Sequence, residues 1–341
     1  MADEIFIKWS KKADTFSNKV VYEEVARKAE VRRKDSAPQS GPVARAPGCQ
    51  PYVELDPLCP ADDPNMICSF RLEQAAKKMM KLGYLFIFSV LHIMTSELEF
   101  TRVCVPPEPV EPETRPRRDR MHPRNLKELE EAKLMEDWMP EDIRSSPRRT
   151  VQFLSNYRPI RFAPLFTVVK SNGRHRVVVN GKPGNEVLNP PPYFTFFSPW
   201  DIVRRLRELK TFFAFTLDIK AWFYRIPMHR KMACYYAVAP GGAYKVFRAV
   251  PMGASIAPAI GQAATVALVL YRESEVDDTL GVVMPVEGIP AILIIAQNGC
   301  TVGYIFICLD NIAVVCSSRA LKEAWERRLI NNAKSPQHFP F

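Results

Sequence analysis

Apolar runs alternate with turn signals along the C-terminal part of the chain. The segments PLFTVVK and RHRVVVN flank SNG, and YYAV and YKVFRA flank APGGA, which predicts two hairpins. The run TFFAFTLDIK predicts a strand that ends at Asp218. Further on, GYIFICLDNIAVVCSS predicts strands at 304–308 and 312–316. Asp310 and Asn311 would form the turn between them, since both residue types tolerate the left-handed backbone of hairpin turns.

Helical spacing of apolar residues separates these strands. The segment SPWDIVRRLRELK predicts a helix with Ser198 as its N-cap and Asp201 completing a capping box. Residues 255–271 predict a mostly apolar helix, and 319–332 predict a closing helix. An acidic helix is predicted before the strands, at 126–138.

The N-terminal part of the chain has a different composition. Residues 1–66 are charged, polar and rich in proline patches, so we expect a poorly ordered segment with one short helix at 20–33. Residues 68–104 have helical spacing that is interrupted near Gly83. A proline-rich linker follows. The sequence therefore predicts a helical, partly disordered region at 1–104, a linker with the acidic helix at 105–147, and a strand-rich region at 148–341.

Charge and cysteine content limit the class of protein. The 341 residues carry a formal net charge of +10, which suits a polyanion such as nucleic acid or an anionic membrane surface. The eight cysteines include no C-x-x-C pair, and no signal peptide opens the chain, so we expect an intracellular location, cytoplasmic or nuclear. The uncharged runs 249–271 and 288–309 are long enough to span a bilayer. Proline and amide residues interrupt both, so we expect no membrane partner.

Two aspartates are candidates for chemistry because each ends or interrupts an apolar strand. Asp218 follows FFAFTL, and Asp310 follows YIFICL. A carboxylate in apolar surroundings requires a partner or a metal ion. If the two strands lie side by side, the carboxylates converge and can hold two Mg²⁺ ions for in-line phosphoryl transfer. The acidic pairs 62–63 and 277–278 lie in polar stretches after no buried strand, and we set them aside.

Four motifs, in this order, resemble the fingers and palm of a retroelement reverse transcriptase. PLFTVVKSNGRHRVVVN is similar to the opening hairpin of that family, and FTLDIKAWFYRIPM to its strand–aspartate segment. YKVFRAVPMGASIAPAIGQ is similar to the segment under the incoming nucleotide, and YIFICLDNIAVVCSS to the hairpin with aromatic-x-Asp-Asp. The detail is nearest to long-terminal-repeat and tyrosine-recombinase elements, including the kinetoplastid type. The resemblance implies an α+β fold, with an antiparallel palm sheet backed by helices and with fingers hairpins. It also implies RNA-directed DNA polymerase activity.

The resemblance also implies roles for individual residues. Asp218 and Asp310 would be the catalytic carboxylates that hold two Mg²⁺ ions, or Mn²⁺, with Asn311 as a further ligand through its amide oxygen. The implied partners are an RNA or DNA template with its primer, and dNTPs. At the incoming nucleotide, the resemblance implies that Lys170 and Arg176 bind the triphosphate. Phe223 would be the gate that excludes a ribose 2′-hydroxyl. Met252 would make an apolar contact, and Gly253 would let the backbone approach the substrate closely.

The chain departs from the family pattern at the last hairpin. Cys308 replaces the aromatic residue, and Asn311 removes one negative charge beside the metal ions. Residues 272–302 are longer than a compact palm requires between its motifs, which predicts an insertion. No thumb or RNase H segment is recognisable after the palm motifs. The alternative hypothesis is therefore a catalytically inactive, truncated remnant that at most binds nucleic acid.

Overall fold

The computed structural model of the protein describes residues 50–56, 69–114, 121–190, 192, 194–239, 243–270 and 280–334. The helix predicted at 20–33 and the acidic pairs at 62–63 and 277–278 lie outside these residues. The described residues divide into two compact units, one consisting of 197–208 and the other of those within 48–196 and 209–341. The three-part division of the sequence stays a prediction.

The described residues form helices and antiparallel strands, the two kinds of element that make up an α+β fold. The strands are β1 (Met135–Asp137), β2 (Leu165–Val169), β3 (His175–Val179), β4 (Phe213–Asp218), β5 (Lys245–Phe247), β6 (Val282–Val286), β7 (Ile289–Gln297), β8 (Cys300–Cys308) and β9 (Asn311–Cys316). The helices are α1 (Ser69–Lys81), α2 (Leu85–Thr95), α3 (Glu97–Cys104), α4 (Pro123–Glu131), α5 (Glu141–Arg144), α6 (Pro147–Tyr157), α7 (Lys182–Asn185), α8 (Pro199–Glu208), α9 (Arg230–Ala233), α10 (Ala257–Leu270) and α11 (Arg319–Lys334).

Among the described residues, five strands form one antiparallel sheet in the order β4-β9-β8-β7-β6, which we call the main sheet. The strands predicted around Asp218 and Asp310 are confirmed, and β4 pairs with β9 along its whole length. The second part of the segment predicted as an insertion, 280–302, adds β6, β7 and the start of β8 to the same sheet.

Two helices cover the apolar residues of the main sheet. Helix α10 contacts β7 and β8 as well as α1 and α2, and α11 contacts β4 and β9. Ile305 and Ile307 of β8 join a single hydrophobic core with Ile260 of α10 and Trp325 of α11. Burial of such side chains is the main stabilising contribution to a fold of this size.

Local sequence signals place several helices correctly. Helices α10 and α11 and the break at Gly83 between α1 and α2 are confirmed within about two residues, the usual uncertainty of helix ends. Helix α8 has the predicted capping box. The Ser198 Oγ accepts a hydrogen bond from the Asp201 main chain at 3.2 Å, and the Asp201 carboxylate accepts one from the Ser198 main chain at 2.7 Å.

The acidic helix predicted at 126–138 is wrong in its extent. Helix α4 ends at Glu131 because Lys133 adopts a left-handed conformation, with φ of 54°. The Leu134 main-chain N–H then bonds back to the Leu129 carbonyl at 3.1 Å, the bond of a Schellman ending. The chain continues into β1 instead.

The hairpin predicted across APGGA is reduced to one bridge. Val238 and Lys245 pair through two backbone hydrogen bonds of 2.9 Å each. The ladder of β5 is instead formed with β1, far away in sequence. Strand propensities of adjacent segments cannot predict this pairing, because β1 lies far from β5 in the sequence.

None of the helices in the described ranges is both long enough and apolar enough to cross a bilayer. The uncharged run at 249–271 contains α10, which begins at Ala257, and the run at 288–309 contains the strands β7 and β8.

Candidate active site

The two strand-ending aspartates lie at the same end of the main sheet. Asp218 is the last residue of β4 and pairs in register with Asn311, the first residue of β9. Asp310 is in the turn that joins β8 to β9. The main-chain N–H of Ile219 donates to the carbonyl oxygen of Asp310 at 2.9 Å, which joins the two acidic segments directly.

The turn that carries Asp310 contains only Leu309 and Asp310, since Cys308 and Asn311 pair as the last residues of the ladder. Leu309 has a φ of 57°, whereas Asp310 and Asn311 are not among the residues with positive φ. The expectation that Asp310 or Asn311 supplies the left-handed residue is therefore wrong. Leucine is disfavoured in that conformation because of its Cβ, so neighbouring groups must stabilise it.

Helix α10 supplies such groups, which the sequence analysis did not identify. The Gln262 side chain accepts from the Leu309 main-chain N–H at 2.8 Å and donates to the Ile307 carbonyl at 3.0 Å. The Thr265 hydroxyl lies 2.5 Å from the Leu309 carbonyl. The sequence does contain a signal for this role, because Gln262 and Thr265 are polar residues three positions apart in an otherwise apolar helix.

The environment of Asp310 disfavours its ionised form. Burial is the main cause of its raised pKa, and the charge of Asp218 raises it further. Hydrogen bonds from its own backbone and from Asn311, and the positive charge of Arg176, oppose this shift. Asp218 and Arg176 therefore both lie close enough to act on the charge of Asp310, as groups that bind a shared ligand must.

Asn311 contributes an amide where a second carboxylate was expected from the resemblance. Its Nδ2 donates a hydrogen bond to Oδ1 of Asp310 at 3.0 Å. The amide thus stabilises the ionised form of its neighbour without adding negative charge.

The basic residues Lys170 and Arg176 lie on the β2–β3 hairpin, which is confirmed. Arg176 is exposed on β3. Lys170 forms a salt bridge with Asp56, and this hydrogen bond is the main cause of the lowered pKa of Asp56. The positive charge of Arg176 also lowers that pKa, although less.

Asp56 belongs to a short acidic segment, residues 50–56, that docks on the β2–β3 hairpin. The main-chain N–H of Asp56 donates to the His175 carbonyl at 2.7 Å, and that of His175 donates to the Glu54 carbonyl at 2.9 Å. The Gln50 side chain accepts from the Thr167 main-chain N–H at 2.7 Å. Nothing in the local sequence of this segment indicates the docking, because its partners lie more than a hundred residues away.

Phe223 lies in a 3-10 turn, Trp222–Arg225, and is partly buried. Its ring rests against α10 at Gly261, where an added Cβ would lie 2.9 Å from the Phe223 ring edge. Glycine at this position therefore makes room for the Phe223 ring.

Met252 and Gly253 lie in the loop before α10, beside the end of β3. The Met252 carbonyl accepts from the Val179 main-chain N–H at 3.2 Å. Gly253 has a φ of 117°, and an added Cβ there would lie 2.1 Å from the Val179 carbonyl oxygen. The absence of a side chain at Gly253 therefore lets this loop lie against the backbone of Val179.

Asn185 fixes this loop from α7. Its side chain donates to the Gly253 carbonyl at 2.9 Å and accepts from the Ser255 main-chain N–H at 2.8 Å. A cavity of about 760 Å³ opens beside the loop, and among the described residues its lining includes Gly253 but neither Asp218 nor Asp310. The other lining residues are Gln50, Pro164, Leu165, Phe166, Val178, Val179, Asn180, Gly181 and Lys182.

The donor chemistry at the end of the main sheet fits a hard cation. Asp218, Asp310 and Asn311 offer only oxygen ligands on their side chains, which Mg²⁺ prefers. Within the ranges that the structure describes, no group of three or more His, Cys, Asp or Glu side chains could hold a metal ion. A cation bound here would therefore need substrate oxygens or water to complete its shell, as Mg²⁺ commonly does.

Comparison with known proteins gives a remote structural likeness. No family model matches the sequence, and no curated protein matches it. The structure is similar to a foamy viral protease–reverse transcriptase in complex with double-stranded DNA. The TM-score is 0.38 and the identity 13%, over 81% of this chain and 42% of that one. It is also similar to a mutant of the prototype foamy virus protease–reverse transcriptase, with a TM-score of 0.37 and 13% identity over 82% of this chain and 32% of the other.

The chain thus spans about a third to a half of the length of these two structures. At this level of similarity, any functional conclusion has to come from the geometry of the site itself.

Proposed function

We propose that the main sheet is the palm of an RNA-directed DNA polymerase of the retroelement type, with the β2–β3 hairpin as part of its fingers. The reaction would be attack of a primer 3′-hydroxyl on the α-phosphate of a dNTP, directed by an RNA or DNA template. The observation that carries this proposal is the joining of Asp218 and Asp310 at one end of β4 and β9 through the Ile219–Asp310 hydrogen bond.

Asp218 and Asp310 would hold the metal ions, with the Asn311 amide oxygen as a weaker third ligand. Two bound Mg²⁺ or Mn²⁺ ions would supply activation of the 3′-hydroxyl and neutralise charge on the reacting phosphate. The raised pKa of Asp310 gives a bound cation a further role, since it would offset the cost of ionising this carboxyl.

The β2–β3 hairpin would bind the triphosphate. Arg176 presents a fork of donors to phosphate oxygens, and its charge already acts on Asp310. Lys170 would act as a point charge once it is released from Asp56. Phe223, fixed against Gly261, would exclude a ribose 2′-hydroxyl, and Met252 and Gly253 would lie under the nucleotide.

A second candidate function is nucleic-acid binding without catalysis. Asn311 favours it, because an amide opposite Asp218 holds divalent cations less strongly than a carboxylate would. The Lys170–Asp56 salt bridge favours it too, since it occupies a side chain that the polymerase requires.

Primer extension by the full chain tests the proposal. We expect extension of a DNA primer on RNA and DNA templates that requires Mg²⁺ or Mn²⁺ and is lost in Asp218→Ala and Asp310→Ala. Asp142→Ala is the matched control, because Asp142 is an exposed aspartate on α5. Absence of extension with either metal, together with retained template binding, would favour the second function instead.

A further inference from the structure

Helix α10 buries two polar side chains among apolar neighbours. Gln262 is 3% exposed and Thr265 is 0% exposed. Removing such groups from water is costly unless each finds hydrogen-bond partners. Their partners show what these two residues do.

Both side chains bond to the backbone around Leu309. Gln262 uses both ends of its amide, accepting from the Leu309 N–H and donating to the Ile307 carbonyl. The Thr265 hydroxyl lies 2.5 Å from the Leu309 carbonyl and 2.9 Å from the Gly261 carbonyl of its own helix. A hydroxyl has a single proton to donate, so the Thr265 hydroxyl donates it to the nearer acceptor, the Leu309 carbonyl. Both polar backbone groups of Leu309 are thus bound by α10.

Leu309 is the residue whose conformation decides where Asp310 lies. Its φ of 57° is unfavourable for a leucine, and a change there would redirect the next residue. The Asp310 carbonyl holds the Ile219 N–H, so a rearranged turn would also release the segment after Asp218.

We propose that Gln262 and Thr265 are positioning residues that hold Leu309 in its left-handed conformation and thereby keep Asp310 beside Asp218. Their part in catalysis rests on the proposed polymerase function. Their part in fixing the turn does not.

Hydrogen exchange of the Ile219 amide in the full chain tests the inference without any activity. Ile219 follows β4 directly, and its main-chain N–H bonds to the Asp310 carbonyl rather than to a group of α10. In Gln262→Leu and Thr265→Val we expect the exchange of the Ile219 amide to quicken on the order of tenfold, as for the loss of one hydrogen bond. Amides in the β4–β9 ladder far from the turn should keep their rates.

Two further variants control for general destabilisation. Thr265→Ser keeps the hydroxyl and should leave Ile219 exchange at its original rate. Thr95→Val removes a hydroxyl whose hydrogen bonds, among the described residues, go to carbonyls of its own helix, and it should leave Ile219 unaffected. Unchanged Ile219 exchange in both Gln262→Leu and Thr265→Val would overturn the inference. Equal acceleration along the whole ladder would overturn it too, because that result indicates only a structural role.

Kinetics separate this inference from the proposed function. If the chain extends primers, Gln262→Leu should lower kcat by up to about 100-fold, since small misplacements of reacting groups have effects of that size, with little change in KM for template–primer. If the wild-type chain does not extend primers, the polymerase proposal fails, and the exchange rate of Ile219 still decides whether α10 positions the turn.

Discussion

Asp218 and Asn311 face each other as the last pair of the β4–β9 ladder. Asn311→Asp would place two carboxylates opposite each other, beside Asp310. Without metal we expect this to lower the free energy of unfolding by up to about 1 kcal/mol, the range for like charges across a strand pair.

The same variant should gain more stability from Mg²⁺ than the wild type does, because a ligand that binds only the folded state stabilises it in proportion to its affinity. Thermal unfolding in EDTA and in Mg²⁺ measures both effects. Equal Mg²⁺ responses in the two proteins would mean that Asn311 does not lie at a cation site.

Asp310 gives the metal-free protein a defined pH dependence. Its pKa is raised in the folded state, so the folded state holds this proton more tightly than the unfolded chain does. The free energy of unfolding therefore falls as the pH rises from the ordinary carboxyl pKa of the unfolded chain to the raised pKa of the folded state. Above the raised pKa, the loss of stability is complete and stays constant.

Replacing Asp310 with Asn removes this contribution. The stability of Asp310→Asn relative to the wild type, measured in EDTA, should therefore increase with pH across that window and then level off. If the difference in the free energy of unfolding between Asp310→Asn and the wild type is constant with pH, the pKa of Asp310 is the same in the folded and unfolded states, which would contradict this prediction.

If Lys170 binds the triphosphate as proposed, its salt bridge with Asp56 would compete with that binding. Asp56→Asn should increase the affinity of the full chain for inorganic triphosphate by up to about fivefold, the value of a partly exposed salt bridge. Glu54→Gln is the matched control, because Glu54 pairs with Arg174 on the same hairpin at 3.3 Å. Calorimetric titration gives both affinities. An equal gain in both variants would indicate a general charge effect rather than release of Lys170.

Gly253 should tolerate no side chain. Gly253→Ala requires both a φ of 117° and a Cβ at 2.1 Å from the Val179 carbonyl, so we expect a loss of about 3 kcal/mol in the free energy of unfolding. Gly173→Ala serves for comparison, because Gly173 also has positive φ but nothing lies within 4 Å of its Cβ position. Its loss should be about 1 kcal/mol. Urea unfolding that ranks the two variants equally would contradict the close packing at Gly253.

Local signals were sufficient where an element is determined by its own residues. The Ser198–Asp201 capping box and the β2–β3 and β8–β9 hairpins all involve partners close in sequence. The predicted acidic helix is too long because the left-handed residue that ends α4 is Lys133, whereas glycine usually marks such an ending.

The remaining features depend on contacts that are distant in sequence. Strand β5 forms its ladder with β1 rather than with the adjacent YYAV segment, and Asp56, in the N-terminal part of the chain, forms its salt bridge with Lys170. In the same way, the aspartates themselves could be identified as ends of apolar strands, whereas the support of Leu309 by Gln262 becomes visible only when α10 lies against the hairpin.

The most direct test of a shared cation site is cleavage of the backbone by bound iron. Fe²⁺ can replace Mg²⁺ at oxygen ligands, and with peroxide it cuts the chain close to where it is bound. A shared site should give cuts near both Ile219 and Asp310. Mg²⁺ should suppress these cuts, and Asp218→Ala and Asp310→Ala should each abolish them at both positions. Cuts near only one of the two aspartates, or cuts that survive in either variant, would contradict it.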